Sequence, residues 1–252
     1  MLTLEGCRQR QQRLLARLDA ANLDAALVYE PRDIYYLTGL LPENRNYPFP
    51  SLLFFSADRS WLITWKEGEA AVDQVITYSP HTLHTINPDN MARLAAMVME
   101  KARQHQGLGT VGYQWESLPA TLRDAFQHGA APRAWDSIDG LLQEEQLRKD
   151  PDEIDCIRRA IAAVEAGYAR AATLIRPGAL ELDIFLACHA AALAHSRAIH
   201  YYGGEFRSGE FAGPARDRAI EAGELYIIDA QADVDGYWCD LSRTWSVDGQ
   251  PT

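Results

Sequence analysis

The run Leu225-Tyr226-Ile227-Ile228-Asp229, then a loop, then Gly236-Tyr237-Trp238-Cys239-Asp240-Leu241-Ser242-Arg243-Thr244-Trp245, decides how this chain is read. An apolar run ending in an acid, a turn rich in Asp and Gly, and an alternating run predict a β-hairpin. Asp229 and Asp240 are separated by an odd number of positions, so a loop of even length can set them directly opposite each other. Opposed side chains share one face of a sheet, with Cβ atoms roughly 4.5–5.5 Å apart. Two bare carboxylates that close repel by about 3 kcal/mol at an effective dielectric near 20. A shared proton or a bound cation would offset this. The ordinary alternative is a solvated hairpin that tolerates two acids.

Alternation along the second strand puts Tyr237, Cys239, Leu241, Arg243 and Trp245 on one face and Trp238, Asp240, Ser242 and Thr244 on the other. Cys239 therefore reads as a packing residue, Arg243 as structural, and Asp240 as part of a polar face. No G-x-S-x-G elbow supports a serine hydrolase.

Upstream of the hairpin, Lys149-Asp150-Pro151-Asp152-Glu153 is a helix start. Asp150 can cap, Pro151 suits the first helical position, and Glu153 sits where a capping box places its acid. Ile154, Ile157, Ile161, Val164, Tyr168 and Ala171 then form an apolar stripe. Arg176-Pro177-Gly178 stops that helix, and an Ala-rich one covers 180–198. Helices followed by antiparallel strands predict an α+β region over 146–252. A lone hairpin is marginal without further strands or helices, so the region reads as part of a domain.

Further back, helical patterns over 5–21, 33–37, 91–105 and 119–128 alternate with strand patterns over 24–29, 51–55, 61–65 and 110–113. This predicts an α/β region over 1–135.

The formal net charge of −11 argues against nucleic acid and anionic membranes as partners. The cysteines at 7, 156, 188 and 239 have neither zinc-ligand nor thioredoxin spacing and read as reduced, cytoplasmic thiols. No run of apolar residues reaches membrane-spanning length. The opening residues, with Glu5 and Asp19 among arginines, read as a helix rather than a secretory signal.

Ile228-Asp229-Ala230, Gly236-Tyr237 and Asp240-Leu241-Ser242-Arg243-Thr244 resemble the creatinase/prolidase/Xaa-Pro aminopeptidase family, the pita-bread metallopeptidases. Leu23-Asp24-Ala25-Ala26-Leu27-Val28 with Ile34-Tyr35-Tyr36-Leu37-Thr38-Gly39 resembles the opening of that family's N-terminal domain. Leu147-Arg148-Lys149, Glu153-Ile154 and Ile157-Arg158-Arg159-Ala160 resemble the first helix of its catalytic domain. The resemblance implies a creatinase-like α/β domain followed by the first half of an α+β pita-bread domain. It implies a homodimeric hydrolase of Xaa-Pro peptides with two divalent ions, Mn²⁺ foremost and Zn²⁺ or Co²⁺ as alternatives. Of five ligands in the family, Asp229 and Asp240 match the two aspartates.

Three departures qualify that reading. The family's His and two Glu ligands follow the hairpin, whereas the sequence given stops at Thr252. By itself it is expected neither to bind the metal pair tightly nor to hydrolyse anything, as a truncated form of a longer enzyme. Gln231 stands where Gly commonly follows Asp-Ala. Ala212 falls near the place of a substrate-contacting His in the peptidase branch. Other pita-bread chemistry, creatinase-like or ectoine-hydrolase-like or a lyase, and a non-catalytic peptide- or partner-binding relative are the alternatives.

His200, beside Tyr201-Tyr202-Gly203-Gly204, is a candidate for the substrate side of a cleft. His81 and His84 near Asp89 read as solvated, and His189 and His195 as core or interface residues. Gly107, Gly109 and Gly112 fit G-x-G-x-x-G, but a helix precedes them and a strand overlaps them, which suits a turn rather than a dinucleotide site.

Overall fold

The computed structural model describes residues 1–41, 49–81, 85–197 and 201–248. The chain divides into two compact units, one formed by Leu2–Asp150 and one beginning at Pro151.

The first unit is built on a six-stranded sheet. Its elements are α1 (Leu4–Ala20), β1 (Ala25–Val28), α2 (Pro31–Thr38), β2 (Leu52–Ser56), β3 (Ser60–Thr64), β4 (Gln74–Thr77), α3 (Asn90–Ala102), β5 (Thr110–Tyr113), α4 (Ala120–Ala130), β6 (Ala134–Ser137) and α5 (Asp139–Gln146). The strand order is β4-β3-β2-β1-β5-β6. β1 runs antiparallel to β2 and parallel to β5. Being central, β1 is buried at every position, so its run is apolar throughout rather than alternating. Ala25 and Leu27 pack with Leu94, Val98, Leu122 and Phe126 of α3 and α4. Ala26 and Val28 pack on the opposite face with Leu14, Leu18, Leu37 and Leu142 of α1, α2 and α5.

Two strands and a helix of this unit escape the sequence pattern. β4 is four residues of mixed polarity, and β6, Ala-Trp-Asp-Ser, is largely exposed. Both are short edge strands with one neighbour each, so backbone pairing rather than apolar periodicity defines them. The unit accordingly runs past residue 135, through β6 and α5. Gly107 follows α3 and Gly112 lies within β5, so the glycine-rich stretch is a helix-to-strand turn. At the carboxyl end of β1, the buried Asp33 accepts from Gln114 Nε2 and Gln146 Nε2, each at 2.6 Å. Gln114 Oε1 in turn accepts from the backbone N–H of Tyr29 and Glu30 at 2.7 and 2.8 Å.

The second unit holds α6 (Pro151–Ala172), α7 (Glu181–Ser196), β7 (Tyr202–Ser208), β8 (Leu225–Val234) and β9 (Tyr237–Ser246). The strands form an antiparallel sheet in the order β7-β8-β9. Phe206, Tyr226, Ile228, Ala230, Ala232 and Cys239 face Ala160, Val164, Ala171, Ile184 and Cys188 of the helices. One face of the sheet is thereby closed by helices, and alternate residues are left for the other face. β7 was not anticipated: its two glycines mask the alternation that resumes at Glu205-Phe206-Arg207-Ser208.

Glu181, wholly buried at the start of α7, ties the helix to the sheet. Its carboxylate accepts from Ser208 N and Oγ at 2.9 and 2.7 Å and from Arg216 N and Nε at 2.9 Å. Burial pushes this carboxyl up, but the hydrogen bonds from Arg216 and Ser208 outweigh it and hold it at about 2. Among the described residues no helix is long and apolar enough to cross a membrane.

Candidate functional site

The β8–β9 hairpin turns on two residues, Asp235 and Gly236, flanked by the pair Val234–Tyr237. Both turn residues have positive φ, 53° and 82°, as a type I′ turn requires, and Asp-Gly is a preferred sequence for it. Arg159 of α6 anchors the turn through a 2.8 Å ion pair to Asp235.

This turn corrects the expected register. Asp229 is opposite Ser242, and Asp240 is opposite Gln231. The two acids are therefore diagonal neighbours, not a direct pair. The tight turn sets pairing two positions away from the one that would oppose them. A shift of two preserves the face, so Asp229 and Asp240 still lie on the same side of the sheet. Diagonal positions remain within reach of each other's side chains, at roughly 7–8 Å between backbones and somewhat less between Cβ atoms.

That face is the one the helices leave open. Asp229 is half-buried and Asp240 exposed, whereas Cys239 is buried among core residues. Burial raises the Asp229 pKa above its ordinary value, and the charges of Asp240 and Glu205, together with a hydrogen bond to Asp240, push it further in the same direction. Glu205 sits opposite Asp229 on β7. It is a site neighbour that sequence reasoning missed, because β7 was missed. Its signal was the polar-apolar alternation after Gly204.

Gly204 is what lets β7 approach this point. It has φ of 125°, and a Cβ there would overlap the Asp229 carbonyl oxygen. On the far side of Asp229, Gln231 turns across the ladder and donates from Nε2 to Asp240 Oδ2 at 3.1 Å. Toward the turn, the rings of Tyr201 and Trp238 meet with centroids 5.0 Å apart, both about half exposed. Burial pushes the Cys239 thiol up, away from a reactive thiolate.

The other candidates do not join this face. His200 and His84 lie outside the described residues. His81 is exposed, with its ring edge on Phe49 at 4.9 Å. His189 stacks on Tyr202 at 5.5 Å, and His195 is exposed at the end of α7. Ala212 is exposed in the connection between β7 and β8. Among the described residues no group of three or more His, Cys, Asp or Glu side chains is gathered as a metal would require. The donor set at hand is thus two carboxylates on one face, one of them with a pKa raised by burial and then by neighbouring charge. It fits an oxygen-seeking divalent cation in part, with further ligands needed to complete a shell.

An α/β unit followed by helices backed onto an antiparallel sheet, with two acids on the sheet's open face, defines the class. The chain belongs to the creatinase/prolidase/Xaa-Pro aminopeptidase family: residues 10–148 match the Creatinase/Prolidase N-terminal domain, and residues 155–252 match Metallopeptidase family M24. It is 20% identical over 251 residues to a putative dipeptidase, YkvY, of Bacillus subtilis (strain 168), covering 94% of this chain and 65% of that protein. It is 28% identical over 140 residues to the Xaa-Pro aminopeptidase of Escherichia coli (strain K12), covering 54% of this chain and 32% of that protein. Among solved structures, that of an Escherichia coli aminopeptidase P variant is similar with a TM-score of 0.77 and 19% identity, covering all of this chain and 64% of that one. The chain thus spans about two thirds of the length of the first of these relatives. The fold expectation, a creatinase-like domain followed by the start of a pita-bread domain, is met.

Proposed function

We propose that the intact protein is a divalent-metal-dependent hydrolase of the Xaa-Pro peptidase type, with Asp229 and Asp240 as two of its metal ligands. The observation that carries this reading is the pair of acids on the same open face of the sheet, where burial first, and then the charges of Asp240 and Glu205, raise the Asp229 pKa. A cation would offset those charges, and the matched family is one of metallopeptidases. When bound, divalent ions supply Lewis-acid activation of water and of the scissile carbonyl. Mn²⁺ suits oxygen-rich ligation, with Zn²⁺ and Co²⁺ as alternatives.

The chain's own residues would do the rest. Asp229 and Asp240 hold the charge in place. The helices behind the sheet confine solvent and substrate to the acid face, and Tyr201 with Trp238 bounds that face toward the turn. A homodimer in the cytoplasm accompanies this reading, as the family resemblance implies.

Ala212 favours a second reading, a related amidohydrolase acting on a bond not preceding proline, because a methyl group offers no imidazole to a substrate. The test is Mn²⁺-dependent hydrolysis of Xaa-Pro dipeptides and tripeptides by the intact protein, with Asp240→Asn as control. Turnover lost in the control supports the peptidase. Turnover confined to other amides favours the second reading. Absence of metal-dependent turnover on every peptide and amide overturns both.

A further inference from the structure

The first unit carries a cavity of about 270 Å³ at the point where its sheet topology changes direction. From β1 the chain builds β2, β3 and β4 on one side, then returns to build β5 and β6 on the other. β1, β5 and β6 run parallel, so their carboxyl ends open at the same end of the sheet. In open α/β sheets, the crevice outside the carboxyl ends of the strands at such a switch point is where ligands bind. Here its walls are Glu30 past β1, Glu116 and Ser117 past β5, and Gln146 of α5, over the buried pair Asp33 and Gln114.

The polar groups left over at these walls are chiefly acceptors. The Glu30 and Glu116 carboxylates make no hydrogen bond or ion pair among the described residues. Gln146 spends its Nε2 on Asp33, which leaves Oε1. Ser117 Oγ is screened from solvent and has no partner among the described residues. The Asp33 carboxylate is 2% exposed and accepts from two neutral amides. Arg32, the one cation lining the cavity, reaches Asp33 at 3.2 Å but keeps 72% of its side chain in solvent. A buried charge so placed is only partly balanced. Among the described residues no group of three or more His, Cys, Asp or Glu is gathered as a metal would require, so the cation that fits is organic. Ammonium and guanidinium groups donate and never accept, which matches the unused acceptors. The volume lies at the lower end for ligand pockets and suits a molecule of amino-acid size.

We propose that this cavity binds the guanidinium or alkylammonium group of an amino-acid-sized organic cation. Glu30 and Glu116 supply the charge, and Gln146 Oε1 and Ser117 Oγ accept its N–H groups. A free small molecule and the basic side chain of a peptide share this chemistry. The proposal does not depend on the ligand reading of Asp229 and Asp240.

The test follows the intact protein by heteronuclear NMR during titration with N-butylguanidine, with N-butylurea as a neutral control of the same shape. The side-chain amides of Gln114 and Gln146 and the backbone amides of residues 115–117 are the reporters. The expected result is saturable shifts at these positions with a Kd of about 1 mM or tighter for the guanidine, and none for the urea. Glu30→Gln combined with Glu116→Gln is expected to weaken binding about tenfold. Glu116→Gln alone, at an exposed position, is expected to weaken it about threefold and decides the matter should the double variant fail to fold. Competition by L-arginine identifies a free ligand as the source, and competition by Gly-Arg-Gly alone identifies a peptide side chain; either supports the site. No saturable shift up to about 20 mM guanidine overturns the proposal. So does equal binding of guanidine and urea, or an affinity unchanged in the variants.

Discussion

Asp229 and Asp240 stand diagonal to each other on one face of the β8–β9 ladder, each directly across from a neutral residue, Ser242 and Gln231. This arrangement eases the repulsion that direct opposition would bring; burial, and after it the charges of Asp240 and Glu205, raise the Asp229 pKa.

That raised pKa sets the first prediction. The folded chain holds the Asp229 proton more tightly than the unfolded chain, so the charged form costs stability at every pH above the raised value, and stability is gained as pH falls through it toward the ordinary 3.8. Asp240→Asn at neutral pH, without metal, is expected to stabilise the protein by about 1 kcal/mol, an estimate discounted for the exposure of the pair. Chelator-treated thermal or urea melts measure it. If Asp240 is a metal ligand as proposed, saturating Mn²⁺ reverses the order in the intact protein, because the wild type then gains binding energy that the variant lacks.

Glu181 has the opposite sign. Its folded pKa is held at about 2 against an ordinary 4.5, so its stabilisation is fully present above about pH 4.5 and drains away as pH falls toward 2. The contribution is roughly 2–3 kcal/mol, nearer the lower figure because Arg216 is partly exposed. Glu181→Gln is expected to flatten the acid limb of a stability-versus-pH curve by that amount. Urea melts at pH 7 and pH 3, on variant and wild type together, isolate this difference from the other carboxylates.

Gly204→Ala forces a methyl group into the Asp229 carbonyl while holding a left-handed φ. The cost is expected to reach about 3 kcal/mol or more, since both the steric overlap and the backbone conformation oppose it. Amide hydrogen exchange reads where the damage lies: protection should fall at residues 202–206 and 228–232, with β9 less affected.

Asp33→Ala tests the polar staple of the first unit. It leaves the inward-turned amides of Gln114 and Gln146 without their carboxylate and loosens the Gln114 contact to the end of β1. A loss of about 2–4 kcal/mol is expected, from removing the hydrogen bonds that Gln114, Gln146 and Arg32 make to the buried Asp33 carboxyl. Chemical denaturation followed by Trp fluorescence gives the value, and hydrogen exchange should place the loss within residues 25–38.

Much of this was legible beforehand because the signals were local. The helices α1, α3, α4, α6 and α7 carry apolar stripes or runs, and β1, β2, β3 and β5 are short apolar runs between breakers. The hairpin showed itself through Asp235-Gly236 and the alternation after it, down to Cys239 facing inward and Asp240 outward. β4 and β6 stayed hidden because edge strands with one neighbour need no apolar period, and β7 because Gly203 and Gly204 interrupt its alternation. The direct opposition of Asp229 and Asp240 was misread because spacing alone allows several registers, and only the two-residue turn selects one.

What the sequence alone determined was the order of elements and the pair of acids on one sheet face, which follow from periodicity and residue spacing, and the family, which follows from the resemblance of its motifs. Tertiary structure decided that Asp240 faces Gln231 rather than Asp229, that Glu205 and Gly204 crowd in from a third strand, and that Glu181 is buried against Arg216. Those relations depend on which strand lies beside which and at what step, and cross-strand neighbours far apart in the chain leave no mark on local pattern.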